Sequence, residues 1–87
     1  MRIIFSPEAF EDMNSWVEED KKIHTKIVTL IREIQRTPFQ GTGKPELLKH
    51  EYSGYWSRRL TDRHRLVYKV EKESLYILSC KFHYSNR

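Results

Sequence analysis

The apolar residues of this chain change their period once, and that change divides the fold. From Ala9 to Ile34 they recur at helical intervals, and from Tyr55 onward they alternate. Apolar residues three and four apart cover one face of a helix, whereas alternation covers one face of a strand. Between the two regimes, residues 38–54 hold all three glycines and two of the three prolines. The order is therefore helices, a break, then strands. This reads as an α+β fold with two N-terminal helices packed on a twisted, mainly antiparallel sheet. With 87 residues there is enough chain for one modest core and no second lobe. Residues 1–87 are expected to form a single domain.

Local signals set the expected boundaries. Arg2 to Phe5 reads as a short strand. Ser6 then offers a side-chain acceptor at an N-cap, and Pro7 a preset φ at the first helical position. Ala9, Met13, Trp16 and Val17 give the first helix its stripe, fading near Glu19. Asp20 can cap a second helix, whose stripe of Ile23, Ile27, Leu30, Ile31 and Ile34 is the clearest in the chain. That helix must stop before Pro38. Residues 38–54 read as a long loop, a kind of segment that is often functional. Tyr55–Leu60, His64–Val70 and Leu75–Phe82 read as three strands joined by short turns, an antiparallel meander.

The formal charge is +4 and unevenly spread. Residues 44–69 carry seven basic side chains against three acidic ones, while residues 1–43 carry six against seven. The middle of the chain therefore favours a polyanion. Cys80 is the sole cysteine and cannot form an internal disulfide, which fits a reducing, cytoplasmic setting. No apolar run is long enough to span a membrane, and the run from Met1 to Pro7 is too short and too soon followed by acids for a secretory signal. Four histidines and one cysteine are scattered without paired ligand spacing, so no metal site and no cofactor is expected. Gly41-Thr42-Gly43-Lys44 lacks the preceding strand and following helix of a phosphate loop.

A basic, aromatic-rich surface without a metal suits RNA, which carries its own nucleophile in the 2′-hydroxyl. Cleavage then needs a base, an acid for the leaving 5′-oxygen, and a cation for the charge on the phosphoryl oxygens. Glu46, between Lys44 and Lys49, suits the base. Arg65 offers a planar fork that matches phosphate. His83 carries an imidazole, which titrates near neutral pH and suits the acid. Tyr55, Trp56, Tyr68, Tyr76 and Phe82 are candidates for stacking on bases. From these residues alone the reading is a basic α+β domain that binds or cuts RNA.

The stretch Thr37-Pro38-Phe39-Gln40-Gly41-Thr42-Gly43-Lys44-Pro45-Glu46 resembles the YoeB (Txe) toxins of bacterial toxin–antitoxin modules. Leu48-Lys49-His50, Ser53-Gly54-Tyr55-Trp56-Ser57-Arg58-Arg59, His64-Arg65-Leu66-Val67-Tyr68 and the ending Cys80-Lys81-Phe82-His83-Tyr84 extend the resemblance from about Ile4 to Tyr84. It implies a RelE-like fold, similar to microbial ribonucleases. The implied activity is a metal-independent endoribonuclease that cuts mRNA in the A site of the 70S ribosome. It leaves a 2′,3′-cyclic phosphate and a 5′-hydroxyl, and so inhibits translation. By the same resemblance Glu46 is the general base, His83 the acid, Arg65 the stabiliser of phosphorane-like charge and Tyr84 a positioning group. Lys49, His50 and Arg59 are secondary RNA contacts, with Lys44 and Arg58 of the same basic stretch counted beside them. Homodimers and a YefM-like acidic antitoxin that folds on binding are also implied. Arg63 stands where related toxins often carry Glu, and Ser85-Asn86-Arg87 extend past the usual end. A non-enzymatic basic module and a gyrase-poisoning relative of the same fold are the alternatives, and neither needs a base and an acid.

Overall fold

Both helix starts are built from the capping residues named above. A computed structural model of the chain describes residues 1–82. Strand β1 covers Arg2–Phe5 and helix α1 Pro7–Glu19. Between them, Ser6 Oγ accepts the Ala9 N–H at 3.0 Å and donates to the Leu78 carbonyl at 2.7 Å, which fastens the helix start to the sheet. Asp20 serves two helices. Its backbone N–H donates to Trp16 O at 2.9 Å and closes α1, and its carboxylate accepts the Lys22 N–H at 3.0 Å and opens α2, Lys21–Arg36. A side-chain cap of this kind contributes about 1 kcal/mol.

The sheet has five strands in the order β1-β5-β4-β3-β2, with β2 at Glu46–Leu47, β3 at Trp56–Arg59, β4 at Arg65–Glu71 and β5 at Ser74–Ser79. The three C-terminal strands form the expected meander. Three features differ from the sequence reading. The loop over residues 38–54 contains β2 and a single helical turn at His50–Tyr52, both too short to show a period. β1 lies parallel to β5, so the sheet is mixed, though still mainly antiparallel. β5 stops at Ser79 rather than Phe82. There the backbone groups of Cys80 leave the ladder: its N–H donates to Asp12 Oδ2 at 3.0 Å, and its carbonyl accepts the Trp16 indole N–H at 2.8 Å.

The core lies between the helices and one sheet face. Ile23, Ile27, Leu30, Ile31 and Ile34 of α2 and Ala9 and Trp16 of α1 pack with Leu66, Tyr68, Leu75, Ile77 and Cys80. Burying each large apolar side chain contributes about 1.5–3 kcal/mol. Val17 is exposed despite its helical spacing, because α1 turns a narrow stripe inward. Among the described residues no helix is long and apolar enough to cross a membrane.

Cys80 is fully buried, and burial, reinforced by the negative charges of Asp12 and Glu8, pushes its thiol up to about 12. In the native protein the thiol is therefore expected to ignore alkylating reagents at mildly alkaline pH. One equivalent should react once the chain is unfolded in denaturant. Rapid labelling of the native protein, read by intact mass, would contradict this packing.

Candidate active site

Sheet register assembles the site face. Trp56, Leu66 and Tyr68 point to the core, so their strand neighbours Ser57, Arg59, Arg65 and Val67 point to the opposite face. Glu46 pairs directly with Ser57, Ser57 with Val67, and Arg59 with Arg65. Directly paired residues share a face. Glu46, Arg59 and Arg65 therefore stand together on the side away from the helices. Their charges act on one another. Burial first, then Arg59, draws Arg65 below the ordinary guanidinium range, while Asp62 and Glu46 push the other way. A guanidinium still carries its charge at neutral pH.

Among the described residues the Arg65 guanidinium is held through one nitrogen. Its Nη1 donates to the carbonyls of Thr61 at 2.6 Å, His64 at 3.0 Å and Asp62 at 3.3 Å, the turn that joins β3 to β4. Arg59 is exposed, as are Lys44, Lys49, His50 and Glu46. Lys44 and Lys49 flank β2 on its two sides in sequence, and His50 follows in the helical turn with φ of +58°.

Arg58 does not belong with them, and the expectation that it contacts RNA is corrected. Its side chain is fully buried on the helix side. Nε donates to the Tyr68 hydroxyl at 3.1 Å, Nη1 to Glu33 Oε1 at 2.6 Å and to Thr42 O at 3.3 Å, and Nη2 to Gln40 O at 2.7 Å and Thr37 O at 2.8 Å. The Tyr68 hydroxyl in turn donates to Pro38 O at 2.7 Å. The base-stacking expectation for Tyr68 fails for the same reason, since its ring has no exposure. Trp56 packs against the core and tilts onto Phe39 at 4.8 Å between ring centroids. Tyr55 and Tyr76 remain half-buried on the other face, with Lys69 Nζ 5.2 and 5.4 Å from their ring centres.

The loop that leads to Glu46 is thus organised from beneath. Glu33 accepts the Thr42 N–H at 2.6 Å and the Thr42 hydroxyl at 3.0 Å. The Thr42 N–H first, with the Thr42 hydroxyl and Arg58 in support, holds the Glu33 carboxyl below the usual range. At Gly41, φ is +122° and a Cβ would fall 1.9 Å from Glu33 Oε1, so only glycine fits. The Gly43 carbonyl accepts the Arg59 N–H at 2.6 Å, joining the loop to β3 two residues after the Glu46 partner, Ser57.

His83 and Tyr84 lie outside the described residues. The chain that leads to them is held group by group. After the two bonds at Cys80, Lys81 Nζ reaches Glu19 and, at 3.1 Å, the Ser15 hydroxyl. Phe82 donates its N–H to His64 Nδ1 at 2.8 Å, and its carbonyl accepts the Arg65 N–H at 2.9 Å. Phe82 has φ of +66°, a left-handed conformation that costs a non-glycine residue about 1–2 kcal/mol and persists only where surroundings enforce it. Sequence reasoning missed Ser57 and His64. Alternation with Arg59 would have placed Ser57 on the site face, but nothing local marks His64. Among the described residues no three His, Cys, Asp or Glu side chains gather as metal ligands.

The family model described as the YoeB-like toxin of bacterial type II toxin–antitoxin systems matches residues 5–84. Toxin YoeB of Escherichia coli K12 is 54% identical over 84 residues, 97% of this chain and all of that protein. A YoeB/ParE toxin structure from Agrobacterium tumefaciens superposes with a TM-score of 0.93 at 43% identity, covering 97% of this chain and 100% of that one. Staphylococcus aureus YoeB, 47% identical and covering 97% of this chain and 98% of its own, matches both as a dimer (TM-score 0.90) and in a heterotetrameric YoeB–YefM complex (TM-score 0.88).

Replacing Arg58 by Ala should strand the Glu33 carboxylate, three loop carbonyls and the Tyr68 hydroxyl. A loss of about 3–5 kcal/mol is expected, read as a fall in the urea midpoint. Gly41→Ala should shift the midpoint in the same direction. An unchanged midpoint for Arg58→Ala would refute the anchoring role. With register, loop and matches in agreement, this chain belongs to the YoeB-like toxins of bacterial type II toxin–antitoxin systems.

Proposed function

We propose that the chain is a ribosome-dependent, metal-independent mRNA endoribonuclease that acts in the A site of the 70S ribosome. The observation that carries this reading is the register that stands Glu46 beside Arg59 and Arg65 on one sheet face. In this reaction the Glu46 carboxylate takes the proton of the 2′-hydroxyl. The 2′-oxygen attacks phosphorus in line, and Arg65 and Arg59 offset the charge that gathers on the phosphoryl oxygens. The P–O5′ bond breaks as His83 gives its proton to the leaving oxygen, and Tyr84 orients the phosphate. The products are a 2′,3′-cyclic phosphate and a 5′-hydroxyl, with atoms and protons balanced and no metal or cofactor. Lys44, Lys49 and His50 contact the flanking RNA. A partly disordered, acidic YefM-like antitoxin neutralises the toxin by folding onto it, and the toxin itself is a cytoplasmic homodimer. The S. aureus relative, solved as a dimer and with YefM, supports these partners.

General acid–base help is worth about 10²–10⁴-fold per group. On 70S ribosomes programmed with a defined mRNA, His83→Ala and Glu46→Gln should each lose activity on that scale while remaining folded. The products of the wild-type protein should end in a cyclic phosphate. Cleavage by His83→Ala at the wild-type rate would remove the acid assignment.

EDTA, at a level that leaves the ribosomes intact through an added magnesium buffer, should not slow the cut. The affinity of the isolated protein for single-stranded RNA should fall with salt at a log–log slope of about −0.7 for each phosphate contact. A flat response would refute the electrostatic part of the reading.

A further inference from the structure

His64 lies outside the set of groups proposed to touch RNA, yet it faces the last described stretch of chain. Its ring meets Trp16 of α1 edge-on at 4.8 Å and Phe82 at 5.8 Å. The Nδ1 atom accepts the Phe82 N–H at 2.8 Å. An imidazole nitrogen that accepts a hydrogen bond carries no proton, so the ring is neutral with its proton on Nε2. The next residue, Arg65, takes the Phe82 carbonyl through its own backbone N–H. Two adjacent residues of β4 and its turn thus hold both polar groups of one peptide residue. That residue has a left-handed φ it would not adopt unaided. Residue 83 is joined to Phe82 by a peptide bond, so whatever fixes Phe82 fixes where the chain sets out.

We propose that His64 is a positioning residue for RNA cleavage: through its Nδ1 lone pair it clamps Phe82, one residue before the proposed acid His83, in register with Arg65. The proposal rests on the ribonuclease reading above. It couples the cation and the acid of the reaction through one dipeptide, since Arg65 bears the guanidinium and His64 with Arg65 grips the chain that carries His83.

The clamp depends on a neutral ring, and its surroundings favour one. Burial lowers the His64 pKa first, and the neighbouring cations Arg63, Lys81 and Arg65 lower it further, while Glu19 opposes them. Asp12 on α1 also acts on the ring electrostatically. With the folded pKa below the unfolded value near 6.5, the contribution to stability is complete above that value. It is lost as pH falls through the lower folded pKa. Arg63 is one of the cations that set this balance.

Three substitutions test the role. His64→Asn keeps an acceptor at the δ position and cannot titrate. His64→Gln moves the acceptor one atom outward, and His64→Leu keeps apolar packing without any acceptor. In mRNA cleavage on programmed 70S ribosomes, the Gln and Leu variants should lose kcat by about 10²-fold, the scale of a small misplacement, with KM unchanged. The Asn variant should keep kcat near that of the wild type. Hydrogen exchange gives a readout apart from activity. Protection of the Phe82 amide should vanish in the Gln and Leu variants, persist in Asn, and fall below neutral pH in the wild type but not in Asn. If folded Asn is no better than Leu, or if all three variants keep the wild-type kcat and Phe82 protection, the positioning role is overturned. Absence of cleavage by the wild-type protein itself would instead sink the ribonuclease reading, and the exchange data would still decide the clamp.

Discussion

The site depends on a buried guanidinium that never reaches it. Arg58 gathers α2, β4 and the loop after α2 around one planar fork. A charge taken out of water is costly unless it is paired and its remaining donors are satisfied. Here Glu33 supplies the counter-charge, and three loop carbonyls and a tyrosine hydroxyl take the other N–H groups. The loop is therefore pinned through its backbone, in a form that glycine at 41 permits and a side chain there would block. Without that anchor, Glu46 would sit on a long polar connection joined to the sheet through the two residues of β2 and the backbone bonds at Gly43 and Leu48 beside them.

Arg58 and Arg59 show how strand alternation separates two roles in adjacent identical residues. The inward arginine finds five acceptors. The outward one faces Arg65 across the ladder. Like charges directly opposed on a sheet are destabilising, and the lowered pKa of Arg65 records that repulsion after burial. A structural arginine is surrounded by what it needs. Two opposed arginines repel each other less once an anion sits between them, which suits the phosphodiester of the proposed reaction.

Much of this was legible from the sequence. The stripe Ile23, Ile27, Leu30, Ile31 and Ile34 fixed α2 because five periodic residues outweigh any local ambiguity, and Ser6 and Asp20 marked helix starts through side chains that can do little else there. β2 escaped notice because two residues have no period. The parallel pairing of β1 with β5 rests on contacts about 70 positions apart, which no local pattern encodes. Glu46, Arg59 and Arg65 were legible as chemical types, and as a group only through resemblance. The error over Arg58 has a specific cause. Composition counts a basic residue as surface charge, and the partner that draws it inward, Glu33, lies on a helix 25 residues earlier.

The early end of β5 follows from competition for backbone groups. Cys80 has one N–H and one carbonyl to give. Asp12 and Trp16 take both from α1, so the ladder to β4 cannot continue in regular form. From that point the chain is held outside the ladder: Cys80 and Lys81 by α1, and Phe82 by His64 and Arg65. Strand alternation therefore ends with β5: a chain that has left the ladder by Cys80 and takes a left-handed φ at Phe82 no longer sends successive side chains to opposite sheet faces over these residues.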